Sequence, residues 1–89
     1  MRETLRKQAE TLPHQPGVYV FRDVLGVPLY IGKANDVAHR IAQHLNPPHD
    51  TRHVQLLSEA RTITFETCAR EEEALLREQQ LIKTFKPRY

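Results

Sequence analysis

The apolar positions change period repeatedly along the chain, and each change marks an element. Leu5, Ala9 and Leu12 share one face at helical spacing, which predicts a short helix over 2–11, ended by Pro13 and the Pro16-Gly17 pair. Val18 to Phe21 is β-branched and aromatic and reads as a strand. Arg22 to Gly26 is a turn region, Pro28 opens the next strand over Leu29 to Ile31, and Gly32 stops it. From Ala34 the period is helical again, with Val37, Ala38, Ile41, Ala42 and Leu45 on the same face, until Asn46-Pro47-Pro48. A looser helix follows over 50–60, a cleanly alternating strand over 62–67, and a long helix over 69–85 that Pro87 ends. Glu71, Glu72 and Glu73 stand in its first turn, where the helix dipole favours acids. The order predicts an α+β fold: a small three-stranded, largely antiparallel sheet flanked by helices.

Size and charge narrow the choices. With 89 residues, 39% of them hydrophobic, the chain can build one compact core but not a deep one. Residues 1–89 are therefore expected to be a single domain, and a fragment of a larger protein. No apolar run approaches a membrane span, and the charged start MRETLRKQAETL lacks the apolar region of a secretory signal. Cys68 stands alone, so no internal disulfide can form, and a cytoplasmic location is expected. A net charge of +2 is mildly basic, so electrostatics alone would hold a nucleic acid loosely.

Six side chains resist a purely structural reading. On the wheel of the last helix, Glu78 falls between Leu75 and Ile82 on one side and Ala74, Leu81 and Phe85 on the other. A carboxylate inside an apolar face needs an arginine partner or a cation, and both readings stay open from the residues alone. Lys33, Arg40 and His44 fall in a narrow arc beside the apolar face of the middle helix, where they border a cleft or form a snorkelling flank. Tyr19 and Tyr30 stand in mirrored settings, Gly17-Val18-Tyr19 and Tyr30-Ile31-Gly32, on strands that should be neighbours. Two phenols, cations and a carboxylate suit phosphodiester hydrolysis. The carboxylate can hold a hard divalent ion, the cations a phosphate, and a phenol whose pKa nearby cations lower can act as a base. His49 and His53 have a helical metal-ligand spacing, with His39 and His44 nearby, but no cysteine set completes a closed zinc site, and Cys68 reads as a packing residue.

LPHQPGVYVF at 12–21, LYIGKA at 29–34, Arg40 and EEALLREQQLIKTFKPRY at 72–89 together resemble the GIY-YIG endonuclease family. Within it they are similar to the N-terminal domain of the bacterial excinuclease subunit UvrC. The resemblance implies a metal-dependent DNA endonuclease domain that makes the incision 3′ to a lesion and leaves a 3′-hydroxyl and a 5′-phosphate. It implies that Tyr19 or Tyr30 prepares the attacking water, that Lys33 and Arg40 serve catalysis and the phosphate, and that Glu78 binds one Mg²⁺ or Mn²⁺. His44 is expected on the substrate side, and Gly17 and Gly32 are expected to serve backbone shape and close approach. The implied partners are DNA and a damage-recognition protein such as the UvrB–DNA complex. Two other readings share the motif: a domain fused to a proofreading exonuclease, and a catalytically idle module that binds DNA or protein. Members of the family continue Pro-x-Tyr with an active-site asparagine, which would lie beyond Tyr89. They also carry more lysine and arginine in the middle helix than ANDVAHRIAQH, and a pattern other than Gln79-Gln80 after the glutamate.

Overall fold

A computed structural model of the chain describes residues 2–46 and 50–89. The Pro47-Pro48 break and the His49 half of the histidine pair lie outside them. The elements run α1 (Arg2–Glu10), β1 (Gly17–Arg22), β2 (Pro28–Ala34), α2 (Val37–Leu45), α3 (Thr51–Glu59), β3 (Thr62–Thr67) and α4 (Glu71–Phe85). The strands form one antiparallel sheet in the order β2-β1-β3. No helix among the described residues is long and apolar enough to cross a membrane.

β1 is central and buried on both faces, which is why its sequence is almost continuously apolar. Register decides what each face carries. Tyr19 pairs with Gly32 and Phe21 with Tyr30, so these four positions share one face. Tyr19, Phe21 and Ile63 of that face pack with Leu5 of α1, Val37, Ile41 and Leu45 of α2, and Leu56 and Leu57 of α3. Val18, Val20 and Ile31 alternate to the other face and pack with Ala74, Cys68 and Leu81. The sheet is thus a middle layer, with α1 to α3 on one side and α4 on the other.

Two element boundaries differ from the sequence reading. β2 does not stop at Gly32 but continues to Ala34, because Val18 pairs with Lys33 and Gly17 with Ala34. α2 starts at Val37, where the Asp36 carboxylate caps the helix by accepting from the His39 N–H at 2.9 Å. Lys33 and Ala34 are therefore strand residues, and Lys33 does not share a helical arc with Arg40 and His44.

α4 also departs from its wheel. Ala74 alone among its described residues is fully buried, while Leu75, Ile82 and Phe85 are 41%, 40% and 47% exposed. Its apolar stripe is wider than the narrow three-stranded surface that covers it. At the end of the chain, the Tyr89 N–H donates to the Leu29 carbonyl at 3.0 Å. The Tyr89 hydroxyl donates to Glu59 at 2.6 Å, which ties this segment to β2 and α3.

Candidate active site

Tyr19 is placed by three neighbours. It is 1% exposed, with Tyr30 stacked beside it at 6.1 Å between ring centroids and Phe21 edge-on at 6.1 Å. Its hydroxyl lies 2.7 Å from His44 Nε2. Gly32 makes the position possible, because a Cβ there would overlap Cζ and the hydroxyl of Tyr19. Gly17 permits a second close approach, since a Cβ on it would overlap the Glu66 carbonyl oxygen of β3. Both glycines act by having no side chain, at strand positions where two backbones or a ring must meet.

α2 carries Arg40 and His44 one turn apart, so one helix presents both toward the tyrosines. Arg40 is exposed, and Nη1 donates to Gln43 Oε1 at a long 3.4 Å, which leaves most of its donors for another acceptor. His44 is half-buried and edge-on to Tyr30 at 5.2 Å and Phe21 at 5.4 Å. Behind it, His53 stacks at 5.0 Å with an 8° interplanar angle. His53 Nε2 donates to the His44 carbonyl at 2.7 Å, which fixes the nitrogen that carries its proton.

Electrostatics corrects one expectation. A lowered phenol pKa was expected near the cations, but the Tyr19 hydroxyl is held well above the usual phenol range. Burial is the largest cause and the Tyr30 hydroxyl adds to it, while Arg40 pulls the other way and loses. Tyr19 is therefore a neutral hydrogen-bonding group at neutral pH, not a free base.

The candidate residues divide between the two faces of the sheet. Tyr19, Tyr30, Arg40 and His44 gather on the α2 side of the sheet. Lys33, opposite Val18, projects to the α4 side, and Glu78 belongs to α4 itself. Glu78 is half-buried rather than sunk in an apolar face, and no charged residue among those described is buried. It makes no hydrogen bond or ion pair among the described residues, so it is not half of a buried structural pair. Its neighbour Arg77 reaches β3, holding Glu66 through Nε at 2.7 Å and Nη2 at 3.1 Å. Arg77 and Glu78 flank the Ala74–Leu81 line on opposite sides of the helix, so Glu78 faces the β2 side, where Lys33 projects. β2 is an edge strand, as β3 is, and the two groups of residues lie on opposite faces of the sheet beside it.

Among the described residues no three His, Cys, Asp or Glu side chains gather as a metal cluster. A cation at Glu78 would thus have a single protein carboxylate and water for the rest. Mg²⁺ accepts that arrangement, because it retains several waters and is bound by one or two carboxylates. The residues present fit such an ion.

Sequence reasoning missed the pairing of His44 with Tyr19, which are 25 positions apart and meet only through the α2–β1 packing. It also missed Phe21 and the His53 stack, for which no local spacing gives a signal. Arg77 was overlooked because it sits next to the more conspicuous Glu78.

The profile of the UvrC-like GIY-YIG domain matches residues 15–89. The chain is 35% identical over 89 residues to UvrABC system protein C of Malacoplasma penetrans, covering 100% of this chain and 15% of that protein. It is 44% identical over 81 residues to UvrABC system protein C of Methanosarcina acetivorans, covering 90% of this chain and 16% of that one. The chain thus spans about one-sixth of the length of these relatives. In three dimensions it is similar to the GIY-YIG N-terminal endonuclease domain of UvrC from Thermotoga maritima, with a TM-score of 0.90 and 37% identity. The alignment covers 100% of this chain and 98% of that one, whose crystal structure holds its catalytic divalent cation, magnesium. Profile, relatives and fold agree over the same residues, and the chain belongs to the UvrC-like GIY-YIG domain family.

Proposed function

We propose that this domain is a metal-dependent endonuclease that hydrolyses one DNA phosphodiester bond, and that in its whole protein it makes the incision 3′ to a lesion. The observation that carries the reading is the gathering of Tyr19, Tyr30, Arg40 and His44 on one face, with the Tyr19 hydroxyl 2.7 Å from His44 Nε2. Its partners are DNA and a damage-recognition complex such as UvrB–DNA, and its location is the cytoplasm. A net charge of +2 gives the domain little affinity of its own, which suits delivery of the substrate by a partner.

Arg40 holds the scissile phosphate. Its exposed guanidinium can grip two non-bridging oxygens and meets the extra charge that develops as water adds to phosphorus. Tyr30, half-buried at the rim of the cluster, orients the attacking water. Tyr19 keeps its proton and hydrogen-bonds His44, so it holds the ring geometry and gives the proton of the water a route to the imidazole. Water adds to phosphorus and passes a proton to His44, the bond from phosphorus to the 3′-oxygen breaks, and the 3′-oxygen takes a proton from solvent, so the products carry a 3′-hydroxyl and a 5′-phosphate. Glu78 would hold Mg²⁺ or Mn²⁺, with Lys33 on the same side of the sheet adding positive charge for the strand. When bound, the ion supplies Lewis-acid stabilisation of the phosphate and leaving oxygen.

The test is nicking of supercoiled plasmid with Mn²⁺ or Mg²⁺, by the chain and by a version extended past Tyr89 to include the family's asparagine, alone and with a UvrB–DNA complex. Metal-dependent nicking that Arg40→Ala and Glu78→Gln both abolish supports the reading. No nicking under either condition by a folded chain leaves the idle binding module.

A further inference from the structure

Two cavities lie along α3 beyond the tyrosine cluster, and of their lining residues the hydrolytic step uses Tyr30 alone. The nearer, about 300 Å³, is lined by Tyr30, Arg52, His53 and Tyr89, among others. The farther, about 740 Å³, is lined by Arg52, Gln55, Ser58, Arg88 and Tyr89, among others. Arg52 and Tyr89 line both, so the two form one path from the tyrosine cluster along α3 to the Arg88–Tyr89 segment.

The charges along this path are unequally committed. Both Glu59 oxygens are engaged, Oε2 by the Tyr89 hydroxyl at 2.6 Å and Oε1 by Arg88 Nη2 at 3.2 Å. The Asp50 carboxylate accepts from the His53 N–H at 2.8 Å and caps α3. Arg52, by contrast, is held among the described residues through Nη2, which donates to the Arg88 carbonyl at 3.3 Å. The Arg88 side chain is 64% exposed, so its pair with Glu59 is weak and easily exchanged for a stronger acceptor. The acids are satisfied locally, while two guanidiniums keep donors facing the path. A phosphate, which takes two parallel N–H donors from one arginine, is the group such a path accepts.

We propose that α3 and the Arg88–Tyr89 segment form a sequence-independent track for the DNA backbone, with Arg52 and Arg88 holding phosphates that flank the one at Arg40. The inference rests on the nuclease reading for its direction, since Tyr30 marks where the track meets the reacting phosphate. It also explains how a domain of net charge +2 aligns a strand, by placing its arginines in a row rather than by their number.

The experiment is anisotropy of a labelled duplex over a salt series without divalent metal, for the parent chain, Arg52→Gln, Arg88→Gln and the double variant. Each loss should reduce the slope of log Kobs against log[salt] by about 0.9, and the double variant by about 1.8. Arg52→Lys and Arg88→Lys should restore the slope, because a phosphate contact needs the charge. An unchanged slope in a double variant that melts like the parent overturns the track. So does an affinity loss that is equal at all salts and not restored by lysine, which marks a structural strap between the C-terminal segment and α3. Loss of polyglutamate binding with DNA binding intact would also overturn it, in favour of an acidic protein partner. Plasmid nicking by the parent chain separates the two proposals. If neither the parent nor a version extended past Tyr89 nicks, the nuclease reading fails while the salt slopes still judge the track, and an active protein with unchanged slopes defeats the track alone.

Discussion

Gly32→Ala probes the packing on which the site depends. The new Cβ would overlap Cζ and the hydroxyl of Tyr19 and lie 2.9 Å from Cε2. Relief by ring rotation is blocked, because Phe21, Tyr30 and His44 surround a side chain that is 1% exposed. Either β2 shifts away from β1 or the ring moves as a unit and lengthens its 2.7 Å contact with His44. Overpacking of this kind costs about 1–3 kcal/mol, which for a domain of this size lowers the melting temperature by about 5–20 °C. Nicking should fall further than the lost folded fraction explains, because what moves is the hydroxyl that bonds His44.

Gly26→Ala is the control. Gly26 has φ of 83° in the hairpin loop with nothing within 4 Å of a new Cβ, so its cost is backbone strain of about 1 kcal/mol, with no effect on the site. Thermal melts read stability, and nicking at a temperature where each variant is fully folded reads the site. If Gly32→Ala melts with the parent and nicks at the parent's rate, the glycine does not hold space for Tyr19 and the reasoning fails.

Three other outcomes follow from the same geometry. Glu78→Gln should leave stability within about 0.5 kcal/mol, since the carboxylate has no protein partner among the described residues, while metal-dependent nicking disappears; a large loss of stability, or retained nicking, argues against a ligand role. Tyr19 has a raised folded pKa, so its stabilising effect is complete below the unfolded phenol pKa of about 10 and is lost as pH rises beyond it. Tyr19→Phe should therefore lose less stability than the parent between neutral and strongly alkaline pH in urea titrations, and identical losses would contradict the burial argument. Asp36 has a lowered folded pKa, from the His39 N–H first and His14 second, so its contribution is present above the ordinary carboxylate range and fades as pH falls through the folded value. Asp36→Ala should lower the melting temperature at neutral pH, with the gap to the parent closing in acid; a gap that does not change with pH would show that the carboxylate charge has no part in the cap.

Much of the fold was legible because its periods are clean. Thr62 to Thr67 alternates over the whole of β3, and the apolar face of α2 runs from Val37 to Leu45 as its spacing implies. Gly32 misled because a glycine after a short apolar run looks like a stop, and only the cross-strand partner shows that it makes room for a ring. That one boundary put Lys33 on the middle helix instead of on β2. Glu78 was conspicuous on its wheel, but a wheel gives the direction of a stripe and not the width of its cover, so burial was overestimated. The sign of the Tyr19 shift was not legible at all. Sequence names the cations that could lower a phenol's pKa, whereas the burial that raises it comes from packing against residues as distant in the chain as His44.

The division of the candidate residues between two sides of the sheet follows from charge. Tyr19 and His44 need burial to hold their geometry, and burial is hostile to a carboxylate and a metal ion. Placing Glu78 and Lys33 on the α4 side keeps both partly in water, where an ion can retain its own ligands. The proposed function requires the two groups to act on one phosphodiester across β2, an edge strand with one neighbour in the sheet. β2 also has an unpaired side, a hazard that the pinning of the Leu29 carbonyl by the Tyr89 N–H reduces. The same segment that protects the edge carries Arg88 and lines the proposed track. Edge protection and strand alignment would then be two consequences of one short C-terminal contact.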